Sequence, residues 1–522
     1  MQSKELYKSY NYVMRRVTST LFLLFLSQSA LAASIDETVE FWVGPITEAL
    51  SSAVFFEINF FGQAAPLIVL WLVTAALFFT IYLGFINIRG FGYAIKIARG
   101  DYEDPKADGE ISHFQAVSTA ISGTVGIGNI GGVAVAIGMG GPGAAFWLFF
   151  AGFLGMSTKL VECTLGVKYR KINPDGSVSG GPMYYLETLL SEHRFPKIGK
   201  FLGGFYALAL VIGCFGIGNM FQSNQAYVQF VNITGGDQSF FEGRGWLFGL
   251  IMAITVGAVI IGGIRSIARV ASKIVPFMGI LYLVSGLVIL MLSAEHLPRS
   301  IAMILSEAFS IQSATGGMVG AMIIGFQRAV FSNEAGIGSA SIAHSAVKTN
   351  EPVSEGLVSL LEPFIDTMVI CTLTSLIIVS TAYPAGLMDS GLEGIELTSA
   401  AFEHHISWAP YPLAIAGLLF AFSTSLAWSY YGLQGWLYLV GDSQKAQLGF
   451  KLVFCGFVML GSTIQLTAVL DFSDAMVFLI SVPNIIGLYF FAPSVRREVN
   501  LYLEKIRNPK NKIVNPRKTP PK

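Results

Sequence analysis

Long runs of apolar residues, separated by short polar or charged segments, recur along most of this chain. Each run is close to the length of about 20 residues that an α-helix needs to cross a bilayer. The pattern therefore predicts an all-α polytopic membrane protein with about 11 transmembrane helices. The predicted spans are residues 65–85, 114–138, 144–167, 201–231, 246–263, 275–292, 316–343, 356–381, 411–440, 452–470 and 475–491.

The composition supports a membrane protein and argues against other classes. Of the 522 residues, 53% are hydrophobic and 13% are charged, whereas soluble proteins carry about 25% charged residues. The formal net charge is zero, which leaves no electrostatic basis for binding nucleic acid. The cysteines lie far apart in apolar stretches and predict neither a metal site nor a disulfide framework. They are Cys163, Cys214, Cys371 and Cys455.

The N-terminal segment has the pattern of a targeting sequence. Arg15 and Arg16 precede a short apolar run over 20–26 and the sequence Ser-Gln-Ser-Ala-Leu-Ala-Ala. This pattern predicts a signal peptide over residues 1–32 that is cleaved near Ala32, with an uncleaved leader as the alternative. Residues 33–64 are then an extracytoplasmic or interfacial segment, residues 65–492 the membrane-spanning domain, and residues 493–522 a basic cytoplasmic tail.

Basic residues predict the orientation, because loops rich in lysine and arginine stay cytoplasmic. The loop after the first predicted span carries Arg89 and Lys96, and the loop after the third carries Lys168 and Arg170. The loops on the other side hold few basic residues. The alternation predicts that the mature N-terminus lies outside and the C-terminus inside. We expect the protein in the bacterial cytoplasmic (inner) membrane.

Two predicted spans contain segments that break a helix. The second contains Gly126, Ile127, Gly128 and Asn129, and the seventh contains Phe331, Ser332, Asn333 and Gly336. The two spans are five apart, as expected for inverted repeats whose paired discontinuous helices cross near the midplane. Freed amides at such a break can hold a carboxylate, and freed carbonyls can hold an ammonium group or sodium. The alternative is that the glycines only allow close helix packing.

Polar side chains on two further spans extend this candidate site. Gln222 in the fourth span can donate to a carboxylate and accept from an amine. Thr424 and Trp428 in the ninth span are four residues apart and share a helix face. The sequence predicts sodium ligands at Thr124, Val125, Ser423, Thr424 and Ser425. The alternative for each hydroxyl is a hydrogen bond to its own helix backbone.

Ionisable residues inside predicted spans are costly and often functional. We expect structural or gating roles rather than substrate contact for Glu162, Arg328, Glu334, Glu362 and Asp366. Lys159 is spaced to pair with Glu162, and Arg328 is a candidate partner for Glu362 and Asp366. Every histidine falls near a predicted span end, which argues against a histidine proton relay. The histidines are His113, His193, His296, His344, His404 and His405.

These motifs resemble the alanine or glycine:cation symporters of the amino acid–polyamine–organocation superfamily. The resemblance rests on segments in family order, namely residues 112–116, 126–129, 140–147, 180–184, 215–222, 331–338 and 427–432. It implies a five-plus-five inverted-repeat, leucine-transporter-like fold with one extra N-terminal span. It also implies a small neutral amino acid as substrate, sodium as coupling ion and no organic cofactor. Many family members have threonine where this chain has Ile127, which leaves stoichiometry and selectivity open.

The sequence therefore favours sodium-coupled import of alanine and/or glycine. The alternative on the same fold is a proton-coupled or differently selective carrier, for example of serine or glutamine. A channel would need a continuous polar pore stripe, a receptor would need an added signalling domain, and ATP-driven transport would need a phosphate-binding loop. The sequence shows none of these features and no enzymatic constellation, and it leaves the oligomeric state open.

Overall fold

The structure of the chain is a computed structural model. It describes residues 44–507 except for 46, 61–62, 103–105, 193–194, 311–316 and 465. The predicted signal peptide over residues 1–32 and the last part of the predicted tail lie outside the described residues. The domain boundaries proposed from the sequence stay predictions.

Within the described residues, every predicted span corresponds to a helix or to a pair of half-helices. We number them in chain order. Span 1 is Leu67–Tyr82, span 2 is His113–Thr124 (2a) and Gly131–Gly140 (2b), span 3 is Gly143–Lys168, span 4 is Pro196–Ile233, span 5 is Gly245–Ile260, span 6 is Gly263–Leu292, span 7 is Gly317–Asn333 (7a) and Ala340–Ser345 (7b), span 8 is Pro352–Ala382, span 9 is Pro410–Val440, span 10 is Gln444–Gly461 and span 11 is Leu466–Arg507.

The described helices include 6 that are long and apolar enough to cross a membrane, and 7 if the two halves of span 2 count as one. Those halves are bent by 60° at the break. Spans 1 and 5 are apolar but shorter, at 16 residues each. Span 7 is divided by its break, and its half 7a has 17 residues.

The secondary structure at the two ends of the membrane domain differs from the prediction. Before span 1, strands Glu57–Phe60 and Gln63–Pro66 pair antiparallel. They begin in the segment predicted to be interfacial, and the second strand includes the first two residues predicted for span 1. At the other end, span 11 continues past the predicted end at Phe491 as far as Arg507. The first part of the predicted basic tail is therefore helical. Two prolines inside this helix, Pro483 and Pro493, do not end it.

Spans 4 and 8 contain π-helical turns, at Gly216–Met220 and Phe364–Cys371. Such turns shift the helix register and are frequent at functional sites. In span 4 the turn brings Gly218 against the Trp428 ring, where an added Cβ would overlap the indole. In span 8 the turn carries Asp366. Both turns therefore shape the region between the two broken spans.

Loops after spans 1, 3, 5 and 7 meet on one side of the molecule. Arg170 donates to the carbonyl oxygens of Asp108, Ser345 and Thr349 at 2.8 Å, and also to that of Val347. Arg265 lies 3.3 Å from Glu110, which precedes span 2. We call this side, defined by Arg170, Arg265 and their partners, the basic side. Its assignment to the cytoplasm stays a prediction.

Candidate functional site between the two breaks

The break in span 2 is held by neutral side chains. The amide of Gly126 donates to Asn129 Oδ1 at 2.9 Å, and the amide of Ile127 donates to Gln222 Oε1 at 3.1 Å. The Gln222 amide nitrogen in turn donates to the Ile217 carbonyl at 3.0 Å. Gln222 therefore contacts the backbone of the break itself. The sequence analysis predicted this residue as a substrate ligand.

Gly126 is required where spans 2, 4 and 9 meet. A Cβ at this position would lie 2.7 Å from Thr424 Oγ1 and 3.0 Å from Gln222 Oε1. Its φ angle of −130° is ordinary, so the reason for glycine here is close approach. At Gly128 a Cβ would lie 3.5 Å from the Phe331 ring, at van der Waals distance. The predicted residues of both breaks and of span 9 are thus brought together.

The break in span 7 is held by a carboxylate and an amide from other spans. The amide of Gly336 donates to Glu162 Oε1 at 2.9 Å, and Asn484 donates to the same oxygen at 2.7 Å. Asn484 also donates to the Gly336 carbonyl at 2.9 Å. Gly336 has a φ angle of 96°, which favours glycine. Spans 3 and 11 therefore fix the conformation of this break.

Glu334 also belongs to this second break, and its φ angle of 57° is unusual for a residue with a side chain. Trp428 Nε1 donates to its Oε1 at 2.9 Å, and the Ser339 hydroxyl donates to its Oε2. Both Glu334 and Trp428 are buried. Trp428 thus uses its polar edge to hold the break, while its ring packs against span 4.

Asp366 in span 8 contacts both breaks. Its Oδ1 accepts from Asn129 Nδ2 at 2.6 Å, and its Oδ2 accepts from Ser332 Oγ at 2.9 Å. Thr367 donates to Oδ2 at 2.6 Å and accepts from Asn333 at 2.9 Å. Asp366 is buried, and none of the ion pairs among the described residues involves it. A buried carboxylate with neutral donors alone is costly unless a cation or a proton joins it.

The hydroxyls predicted to ligate sodium divide into two groups. Thr424 Oγ1 lies 3.5 Å from the Val125 carbonyl, so this predicted pair is adjacent. Thr124 and Ser425 instead donate to carbonyls of their own helices. Ser423 also donates to its own helix, and it reaches Met278 of span 6 at 3.4 Å. These three hydroxyls therefore bond the backbone of their own helices, as the alternative interpretation predicted. Their assignment as sodium ligands stays a prediction.

Two predicted charge pairs are wrong. Arg328 pairs with Asp474 of span 11 and stacks 5.6 Å from the Phe331 ring centroid, rather than joining Glu362 or Asp366. Lys159 lies 3.4 Å from Glu362 Oε2 rather than pairing with Glu162. The predicted Lys159–Glu162 pair rested on spacing along one helix, and the predicted Arg328 pair rested on the need of two carboxylates in another span for a cation. In both cases the observed partner lies on a different span.

Two histidines predicted near span ends, His113 and His344, are buried inside the protein. His344 is fully buried and bonds Glu355 and Glu362, and His113 is buried against Glu355. Both do lie at ends of half-helices, but those ends are packed inside the protein. Sequence reasoning also missed Asn484 and the position of Asp366 between the breaks. An acidic residue in an apolar span was the signal for Asp366, whereas Asn484 gave none.

Two discontinuous helices five spans apart, with polar side chains converging on both breaks, define a secondary transporter of the inverted-repeat class. The sequence pattern of the sodium:alanine symporter family matches residues 48–516. The chain belongs to this family. It is an amino-acid:cation symporter and a multi-pass membrane protein, not an enzyme.

Relatives support the family assignment along most of the chain. The "Sodium/alanine symporter AgcS" of Methanococcus maripaludis is 38% identical over 449 residues, covering 85% of this chain and 95% of that protein. The "Probable sodium/glutamine symporter GlnT" of Bacillus subtilis is 32% identical and covers 83% of this chain and 86% of that protein. The "Amino-acid carrier protein AlsT" of Bacillus subtilis is 33% identical, covering 80% and 84%.

A solved structure confirms the predicted fold. The crystal structure of MhsT in complex with L-phenylalanine superposes with a TM-score of 0.55 at 17% identity. The match covers 76% of this chain and 99% of that chain. The chain therefore has the leucine-transporter-like five-plus-five fold, with one extra N-terminal span.

Proposed function

We propose that this protein is a sodium-coupled symporter that imports small neutral amino acids, alanine and/or glycine. The proposal includes a cytoplasmic membrane location with the mature N-terminus outside and the basic side facing the cytoplasm. The substrate and the ion bind between the two breaks, near Gln222, Thr424 and Trp428.

The observation that carries the proposal is the position of Asp366. This one buried carboxylate joins Asn129 at the first break to Ser332 at the second. Sodium is a hard cation that takes oxygen ligands, by analogy with other hard cations. A sodium ion at Asp366 would balance its charge and would depend on the geometry of both breaks. Ion binding and substrate binding would then favour the same arrangement.

The two charged groups of an amino acid match the backbone groups at the two breaks. At the first break, the Ile127 amide is bonded to a neutral oxygen of Gln222, which a substrate carboxylate can replace with a stronger, charged bond. At the second break, the last carbonyls of half-helix 7a, including Phe331 and Ser332, have no later turn of helix to bond them. They can accept from the substrate ammonium group. We expect Trp428 and Ile127 to bound the space for the substrate side chain and to limit it to a small one.

Proton coupling is the second candidate, and Asp366 also favours it, because a proton could neutralise this carboxylate in place of sodium. A different selectivity is the third, since GlnT carries glutamine in its name. The neighbouring Thr424 hydroxyl and Val125 carbonyl are a second location at which a cation could bind. The contribution of each hydroxyl predicted there stays a prediction.

The test is uptake of labelled alanine, glycine, serine and glutamine into proteoliposomes with sodium or proton gradients imposed separately. We expect alanine or glycine uptake that follows the sodium gradient and stops when choline replaces sodium at fixed pH. Equal uptake in choline would refute sodium coupling. Faster uptake of glutamine than of alanine would refute the proposed substrate but keep the transport mode.

A further inference from the structure

Lys159 lies in the middle of the protein, and its ammonium group hydrogen-bonds no acceptor among the described residues. Its ion pair with Glu362 of span 8 joins Nζ to Oε2 over 3.4 Å, and both side chains are 0% exposed. A buried charge without hydrogen bonds is costly. An ionisable residue at such a position in a membrane protein is usually functional. The transport site described above does not use Lys159.

Two buried carboxylate oxygens near Lys159 also lack a hydrogen bond among the described residues. Glu162 follows Lys159 by three residues and shares its helix face. Its Oε1 accepts from the Gly336 amide, whereas its Oε2 accepts no hydrogen bond. Glu362 Oε1 bonds His344, whereas its Oε2 accepts no hydrogen bond and faces Lys159. Each carboxylate therefore leaves one oxygen available to a cation.

The charge of Lys159 also acts on carboxylates that it does not contact. Besides Glu362, it interacts electrostatically with Glu162 and Glu334, which belong to the second break, and with Asp366 between the breaks. None of the ion pairs among the described residues involves these last three carboxylates. Coulomb attraction falls only slowly with distance in a buried site, so one ammonium group can act on all of them.

The other cationic or protonatable groups of this region contact different carboxylates. They are His113, His344 and Arg170. Their partners are Glu355 and Glu362, and no ion pair of the described residues joins them to Glu162 or Glu334. The fixed positive charge at the second break is therefore that of Lys159.

We propose that Lys159 is a built-in cation that takes the place of a second coupling sodium and so fixes the number of mobile ions. The ammonium group acts by its charge and makes no hydrogen bond that a metal ion would have to reproduce. Sodium takes oxygen ligands, by analogy with other hard cations, and Glu162 Oε2 and Glu362 Oε2 supply them once the lysine is removed. The inference rests on the proposed function in taking Asp366 as the site of the mobile sodium.

Replacing Lys159 by methionine tests this without any substrate, because the change removes the charge and keeps an unbranched side chain. An ion that binds the folded state stabilises it increasingly as the ion concentration rises. With choline holding the ionic strength constant, the slope of melting temperature against the logarithm of sodium concentration should become about twice that of the parent protein. Lys159→Arg keeps the charge and should keep the parent slope.

Two further variants are controls for this measurement. Lys168→Met removes a lysine from the same helix, but its partner Glu498 is partly exposed and can be solvated by water, so the slope should not change. The double variant with Lys159→Met and Glu362→Gln removes a carboxylate together with the ammonium group and should lose the added slope. A Lys159→Met slope equal to that of the parent overturns the inference. Failure of Lys159→Met to fold in sodium also overturns it, because the exposed carboxylates then bind no cation.

Transport is the second measurement, with labelled sodium and labelled alanine taken up by proteoliposomes. The number of sodium ions that enter with each alanine should rise by one in Lys159→Met and stay at the parent value in Lys159→Arg. If the parent shows sodium-coupled uptake and Lys159→Met has the same ratio, only this inference is overturned. If the parent shows no sodium dependence but Lys159→Met acquires one, only the proposed function is overturned.

Discussion

The backbone amides of the break in span 2 donate to neutral side chains, whereas the Gly336 amide of the break in span 7 donates to a carboxylate. Gln222 and Asn129 accept from amides of the first break, while Glu162 accepts from the Gly336 amide at the second. The protein thus supplies its own anions to the second break. The amides of the first break keep a partner that a substrate carboxylate can displace. For the proposed site, we expect this difference to orient the substrate, with its carboxylate toward span 2 and its ammonium group toward span 7.

Replacing Asp366 by asparagine tests the group that joins the two breaks, and we expect the largest effect from it. The variant keeps the size of the side chain but loses the charge assigned to the cation. Breaking a buried charge pair costs about 3–5 kcal/mol, so the affinity for sodium should fall by more than about a hundredfold. The readout is the sodium concentration that gives half-maximal uptake. Asp389→Asn, in an exposed turn, is the matched control, and an unchanged sodium affinity in Asp366→Asn would exclude this cation site.

Replacing Gln222 by alanine tests the first break. The change removes the partner of the Ile127 amide and the amide group that can donate to the substrate carboxylate. A hydrogen bond to a charged group contributes about 1.5–3 kcal/mol, so substrate affinity should fall by about ten- to a hundredfold. Binding to purified, folded protein measures this. Gln225→Ala is the control, because Gln225 contacts the Ile395 amide instead of the break. Equal losses in both variants would indicate a general packing effect.

Replacing Trp428 by alanine tests the wall between the two breaks. Extra methylenes in a packed site cost about 1–3 kcal/mol, so the parent protein should prefer alanine to leucine. The variant should reduce that preference, as measured by competition during uptake. Trp428→Phe keeps a ring but loses the bond to Glu334, which separates volume from polarity. If the alanine-to-leucine ratio is the same in the parent and in a transporting Trp428→Ala variant, Trp428 does not line the pocket.

Replacing Glu162 by glutamine should have the smallest effect, because glutamine can still accept from Gly336 and Asn484. Neutral hydrogen bonds are weaker than charged ones by about 1 kcal/mol. The melting temperature should fall by a few degrees, while substrate affinity changes little. Glu187→Gln, which bonds Tyr438 on the basic side, is the control. A large loss of substrate affinity in Glu162→Gln would mean that the second break binds the substrate carboxylate.

The number of spans and the location of both breaks could be predicted from the sequence, because apolar length and glycine clusters are local signals. The partners of buried charges could not. Arg328 bonds Asp474, which is distant along the chain, and Lys159 faces Glu362 of another span. Such pairs depend on which helix faces meet, and a helical repeat does not encode this. The sequence also did not show that Gln222 and Trp428 contact the breaks of the protein itself. Their predicted roles in substrate binding stay predictions.

Arg170 joins the loops of the basic side by bonds that differ in chemistry from the contact of His113. Its guanidinium bonds backbone carbonyls, whereas His113 bonds a carboxylate. Carbonyl dipoles do not titrate and arginine stays charged at any physiological pH. The strength of the hydrogen bonds from Arg170 is therefore nearly the same in acid and in base. The loops that Arg170 joins are therefore held together by bonds that no change of pH within the physiological range can remove.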